Sequence, residues 1–534
     1  MPVAGCVPAS HLIKPPHSSA VVTNAPLATP SRARFQYLAA QMELARGDTA
    51  AAAAALDVAA LHDPDSPWIE LARADVALAA HDSASELAHA QAASSLAPTN
   101  GLALARVGEI LAAQGERSTA EEVLRNAVDH GADDRAWSVL TRLLVSRAAP
   151  DAASMVARWA ARPAGDGAAV RERGEARVRT GDDSGAVDDL GLALGDAPDD
   201  ARLLDEYVGA ASRARRFRTA LIRLQSLHRL LPTNDDIVLR TWHLAKEAND
   251  PLRGLEALLA LDTLQGGRDA QVAVWMAEER AAVGDVSGAL QALDVAAKRV
   301  PPAADLSVHR ARVFARVGRN SEALAALRIP ATGPLRTEAI ALQASLLVAS
   351  RRTREARDLV ERALVALPDS ATLLSAEARV CIAANDVPAA LSAIERLPMG
   401  EEDRALERAR ALSGAGDVKG ANSILESRQT AGALALRLGV MPMEDPDRAA
   451  LARALLAVDP GNGAATLVVV EQVQKSLDGA LLSVDTKALL AAAIDRAPAD
   501  TRLLDALAKQ ELAMGNTLRA AALAGEAERY RVAY

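Results

Sequence analysis

The sequence predicts an all-α protein, an α-solenoid of about fifteen stacked helix–turn–helix units. Three observations predict it: the composition, a turn signature that recurs about every 34 residues, and amphipathic helical patterns between the turns. Half of the 534 residues are apolar but only 2% are aromatic, so the apolar content is mostly Ala, Leu and Val. Ala and Leu lose little side-chain freedom in a helix. Aromatic and β-branched residues, which suit a pleated sheet, are sparse apart from Val.

The turn signature is clearest in GDDSGAVDDLGLALGDAP, residues 181–198. Gly181-Asp182 is followed by Ala186, Ala193 and Pro198, at offsets of 5, 12 and 17. Gly47-Asp48 has Ala52, Ala59 and Pro64 at the same offsets, and Gly284-Asp285 has Ala289, Ala296 and Pro301. Partial copies place turns at 47, 81, 115, 148, 181, 215, 249, 284, 318, 351, 385 and 416, spaced 31 to 35 residues apart. Residue 515 continues the phase, with room for three further steps before it. A period of this length marks a stacked helical repeat, because one hairpin cannot bury its own apolar face.

Each offset has a physical reason. Gly accepts a positive φ, and Asp caps the helix that follows. Seven residues before many of the turns stands a small residue, at Gly108, Gly174, Ala277, Ala311, Ala344, Ala378, Ala409 and Ala508, which lets the second helix approach closely. The two downstream Ala residues, seven apart, share one helix face. Pro ends the second helix, as in HDPDSP, LPTND and LPDSA.

This pattern resembles the tetratricopeptide repeat family, over about nine tenths of the chain. The resemblance implies a right-handed superhelix whose concave lining comes from the first helix of each unit. It also implies a non-catalytic role in binding a protein or peptide. Sibling helical-repeat families such as Sel1-like repeats are a lesser alternative. The family's aromatic positions are mostly aliphatic here, with Trp137, Tyr207 and Phe314 among the exceptions, and His81, Ala148 and Asn385 stand where Gly is usual. Residues 34–416 read as regular repeats. Residues 417–534 are more degenerate, with a Pro-rich break in MPMEDPD, and end in a helix.

Residues 1–33 are rich in Pro, Ser and Ala and lack helical periodicity, so a disordered tether is expected there. Val3-Ala4-Gly5-Cys6 looks like the end of a bacterial lipoprotein signal. Only five residues precede Cys6, too few for the charged and apolar regions of such a signal. Lipidation of Cys6 at a bacterial envelope and a chance match in a cytoplasmic protein both stand. Two cysteines leave no disulfide framework and no Cys-based zinc site, and Cys381 reads as a small buried hydrophobe. A net charge of −9 with scattered Arg shows no basic stripe for nucleic acid. No apolar run is long enough to cross a membrane.

No metalloprotease, phosphate-loop or dinucleotide motif is present, and the nine His are dispersed. No catalytic residue, cofactor or metal site is predicted. The row six residues before each turn is the candidate groove lining: Glu109, Arg142, Glu175, Glu278, Arg312, Arg379 and Arg410. It leans acidic early and basic late, so it is either a polarised groove or an ordinary solvated face. It holds no Asn, unlike family members that clamp the C-terminal carboxylate of heat-shock chaperones. The expected function is a partner-binding scaffold, in envelope assembly if Cys6 is lipidated. The alternatives are a cytoplasmic regulatory or adaptor module and, last, an enzyme.

Overall fold

A computed structural model describes residues 31–163, 165–299, 305–330, 333, 335–476 and 484–533. Cys6, Pro301 and nearly all of the N-terminal stretch lie outside the described residues. Among the described residues there are thirty helices and no strand, the number that fifteen hairpins require.

The chain forms two compact units, divided after Thr180. The first contains hairpins 1 to 4, the last two being Gly101–Gln114 with Arg117–Asp129 and Asp134–Ser146 with Ala152–Ala160. The helix Gly167–Thr180 completes it. The second begins with the helix Asp183–Asp196 and continues as hairpins 6 to 15. Hairpin 6 is Ala201–Ala214 with Phe217–Leu230, and hairpin 7 is Asp235–Glu247 with Pro251–Leu264. Hairpin 14 is Gly463–Ser476 with Val484–Arg496, and hairpin 15 is Thr501–Ala513 with Thr517–Ala533.

The turns form where the repeat places them. All thirteen turn positions read from the sequence adopt a positive φ, between 52° and 89°, including the non-glycine His81, Ala148, Arg215, Asn249, Arg351 and Asn385. Asp follows several of them and caps the next helix: Asp48, Asp82, Asp182, Asp250, Asp386 and Asp417 each accept a backbone N–H three residues on, at 2.8–3.2 Å. Such a cap contributes about 1 kcal/mol. Several of the second helices stop before proline. Asp63, Ala97, Ala197, Leu231 and Leu367, each followed by Pro, have φ between −125° and −151°. The proline ring disfavours the helical conformation at the residue before it.

The helices of a hairpin meet through very small side chains. Ala52, Ala120, Ala186, Ala220, Ala289, Ala323 and Ala356, five residues after their turns, are all fully buried at 0% exposure. Ala277, Ala311, Ala344 and Ala409, seven before, are equally inaccessible. At Gly108 a Cβ would lie 2.5 Å from Cγ of Leu124, so even a methyl group is too large unless Leu124 moves. Larger apolar side chains fill the space around these contacts: Leu124, Leu140, Leu144 and Trp159 in the first unit, Leu190, Leu203, Tyr207 and Leu224 in the second.

The Pro-rich segment between Ala431–Val440 and Arg448–Val458 is a long connection, residues 441–447. The guanidinium of Arg448 bridges it by donating to the carbonyls of Leu438 and Met441, at 2.9 and 2.6 Å.

The second unit also folds back on itself. Hairpins 14 and 15 pack on hairpins 6 and 7, eight hairpins earlier in the chain. Asp495 accepts from the backbone N–H of Thr219 at 2.6 Å and from its hydroxyl at 3.0 Å. Glu526 receives Arg218 through two nitrogens, at 3.0 and 2.6 Å, and Arg253 at 2.8 Å. The Tyr530 hydroxyl donates to the buried Asp250 carboxylate at 2.7 Å. Leu252 packs against the apolar cluster of the last two hairpins.

Two glycines test this packing in opposite directions. Gly101 opens its helix with its missing Cβ 2.6 Å from both the Ala132 nitrogen and the His130 carbonyl oxygen. Gly101→Ala should cost about 1–3 kcal/mol through overpacking against backbone. Gly525 has nothing within 4 Å of that position, so Gly525→Ala should gain about 1 kcal/mol of helix propensity. Thermal unfolding by circular dichroism should therefore show a lowered midpoint for the first and a raised one for the second. The left-handed turn at Ala148 makes a companion case: Ala148→Gly should raise the midpoint, relieving a strain of about 1 kcal/mol.

Candidate functional site

The row six residues before each turn lies on the first helices, and the structure ties much of it into ion pairs between successive hairpins. In the first unit Asp75 pairs with Arg106, and Glu109 accepts from Arg135 at 2.9 Å. Burial pushes the Glu109 carboxyl above its ordinary range, only partly countered by Arg135 and Arg106. Glu175 is flanked by Arg171 and Arg179 of its own helix, at 3.2 and 3.5 Å. Arg142 is exposed.

In the second unit Glu278 meets His309 at 2.9 Å, Arg312 at 3.7 Å and Lys246 at 3.9 Å. Burial acts to raise this carboxyl, but the His309 hydrogen bond and the surrounding cations outweigh it and hold the group below its ordinary range. Arg312 also pairs with Glu338, and Arg410 with Glu407 on the same helix. Arg379 is exposed and donates to its own helix at the Ser375 carbonyl. Of the row, then, the structure brings Glu278 and Arg312 together, while Arg379 and Arg410 remain outward-facing cations.

Beside Glu278 lies a cluster that the sequence reading missed. Trp242 and Trp275 stack with ring centroids 4.1 Å apart, and the Lys246 ammonium sits 5.2 Å from the Trp242 ring. The Trp242 indole N–H donates to Glu279 at 3.1 Å. Trp242 is buried and Trp275 half-buried. Burial drives the Glu279 carboxyl above its ordinary range, and the indole hydrogen bond offsets only part of that. Burial lowers the His243 imidazole, and Lys246 pushes it the same way.

The signal was present in the register. Trp242 occupies the position seven before its turn, where small residues are usual, and five after that turn stands Gly254 instead of Ala. A Cβ on Gly254 would lie 3.2 Å from the Glu279 carboxyl carbon, so the glycine makes room for that carboxylate of the next hairpin. One position of the hairpin is enlarged to Trp and the other is reduced from Ala to Gly.

Left-handed turns at a 34-residue period, alanines shielded at both offsets and proline-stopped second helices define the repeat type. The fold is that of a tetratricopeptide-type helical solenoid. No family model matches the sequence, and no curated protein matches it significantly. Solved repeat structures are similar at low identity. Yeast Tom70 is 14% identical over 93% of this chain and 96% of that one, with a TM-score of 0.29. The tetratricopeptide domain of P58(IPK) is 16% identical over 74% and 99%, with a TM-score of 0.22. YrrB, described as having an unusual peptide-binding site, is 16% identical over 36% and 97%, with a TM-score of 0.28. With superpositions this partial, the repeat assignment rests on the chain's own geometry. Among the described residues there is no cluster able to hold a metal ion and no helix long and apolar enough to cross a membrane.

Glu279 supplies a pH test. Its carboxyl is raised in the folded state, so folding favours the protonated form, and that stability is lost as pH rises through the folded value. Glu279→Gln keeps an oxygen for the Trp242 indole and removes the buried charge. The variant should unfold at a higher temperature than the parent at pH 8, and the difference should vanish at about pH 3, below the ordinary carboxylate range. A parent midpoint equal to that of the variant at pH 8 would contradict this assignment.

Proposed function

We propose that this chain is a non-catalytic scaffold that holds a protein or peptide partner along the first-helix face of its second unit. The observation that carries the reading is the half-buried Trp275 beside Glu278, His309 and Arg312, with outward-facing Arg379 and Arg410 further along the same row. An aromatic side chain offers large contact area at low entropic cost, and binding energy concentrates at such anchors. The remaining row positions, Glu109, Arg142 and Glu175, belong to the first unit and provide a second, more acidic stretch of the same kind of surface.

The adaptor reading in a cytoplasmic regulatory system shares this binding face and differs in where the protein resides. A lipid on Cys6 would place the scaffold at a bacterial envelope. Metabolic labelling with palmitate distinguishes the two: label retained by the parent and lost in Cys6→Ala supports the envelope, and an unlabelled parent supports the alternative.

Affinity capture from the native organism, followed by identification of partners, tests the binding face. Trp275→Ala, and separately Arg379→Glu with Arg410→Glu, should each cut recovery of the partner roughly tenfold or more, the scale of a single anchor residue. Helicity should be unchanged. Full recovery with both variants would remove this face as the binding site.

A further inference from the structure

We infer that the contact between hairpins 14–15 and hairpins 6–7 is a separable electrostatic latch, which opens and closes the second unit without unfolding its repeats. The inference stands on the geometry of that contact and not on the partner-binding reading.

The chemistry of the contact differs from that between neighbouring hairpins. Neighbouring hairpins share closely packed, buried alanines and leucines, to which ion pairs such as Glu109 with Arg135 are added at the edge. Here the joining groups are charged or polar: Arg216 and Asp495 at 3.2 Å, Arg218 and Arg253 on Glu526, Arg529 and Glu256 at 2.8 Å, and Tyr530 on Asp250. The contact also encloses an open cavity of about 870 Å³, lined by Ala214, Ile222, Ala491, Ala492 and Leu523 as well as by the ion-pairing residues. A polar, incompletely packed surface is the character of interfaces that come apart. In a repeat array each hairpin depends mainly on its neighbours, so breaking this one contact leaves the others intact.

The arrangement is directional. The N-terminal ends of Phe217–Leu230 and Pro251–Leu264, with Arg216, Arg218 and Arg253, face the C-terminal halves of Val484–Arg496 and Thr517–Ala533, with Asp495 and Glu526. Carboxylates at helix N-termini are favoured by the backbone dipoles. Phe217–Leu230 also lacks a cap of its own, since Arg216 occupies the cap position and makes no capping bond. Asp495 takes that role from 276 residues away by accepting the Thr219 N–H. Thr219 is the third residue of its helix, where no intrahelical acceptor exists. Its amide is therefore a direct reporter of the closed state.

The test uses the full chain, with small-angle scattering for size, residue-resolved amide exchange at Thr219 and circular dichroism for helix content. Glu526→Arg places three cations together and should enlarge the radius of gyration. It should also speed Thr219 exchange roughly tenfold or more, as expected for a local opening, with helix content unchanged. Adding Arg218→Glu and Arg253→Glu to Glu526→Arg inverts the charges and should restore both values. An unchanged radius and exchange rate in Glu526→Arg, a loss of helicity alongside the expansion, or failure of the inverted variant to close would each overturn the latch.

Discussion

Everything in this chain depends on how closely two helices approach within a hairpin. The approach is set by side chains with one carbon or none at the crossing, five residues after the turn and seven before it. Ala52, Ala120 and Ala289 are wholly enclosed, and at Gly108 not even a methyl group fits. Such contacts supply little apolar area each, which explains why an Ala-rich protein needs many hairpins: stability accumulates by stacking units, not by one central core. The left-handed turn residue, and the proline that follows several of the second helices, serve the same constraint, because they keep the small residues opposite each other.

Where the constraint is relaxed, a surface feature appears. In hairpin 7 the bulky Trp242 stands where a small residue is usual and Gly254 where Ala is usual, and a carboxylate, Glu279, is buried against the indole N–H. Trp275 stacks on Trp242 from the next first helix and is only half covered. Trp242 belongs to the apolar core of its hairpins and Trp275 packs against it, whereas Glu279 is a charged group within that packing. They alter one stretch of the first-helix face, next to the Glu278, His309 and Arg312 cluster, and make it chemically distinct from its neighbours.

The row charges themselves are partly spent on the protein. Asp75 with Arg106 and Glu278 with His309 are 31 residues apart, while Glu109 with Arg135 and Arg312 with Glu338 are 26 apart. The two spacings fall about three and about eight residues short of the 34-residue period, and each joins neighbouring first helices. Once the period is known, such pairings can be looked for in the sequence, and a row that looks like a charged groove resolves into ties between hairpins plus the exposed Arg142, Arg379 and Arg410, the last paired only with Glu407 of its own helix.

By itself the sequence determined the helical class, the hairpin unit, the thirteen left-handed turns and the alanine contacts. All of these are local or lie within one period, so their physical causes sit within about 40 residues of each other, the span of one repeat. Even the departure at Trp242 and Gly254 was visible against the repeat pattern, although its consequence for Glu279 and Trp275 was not. Only the tertiary structure decided that the second unit closes on itself. The turn at Arg215-Arg216 reads in isolation as a degraded Gly-Asp, yet its missing cap is Asp495, carried there by the accumulated rotation of eight hairpins. Small angular increments per repeat leave no mark on any single repeat's residues, so the sum, and with it the meeting of Arg218 and Arg253 with Glu526, appears only in three dimensions.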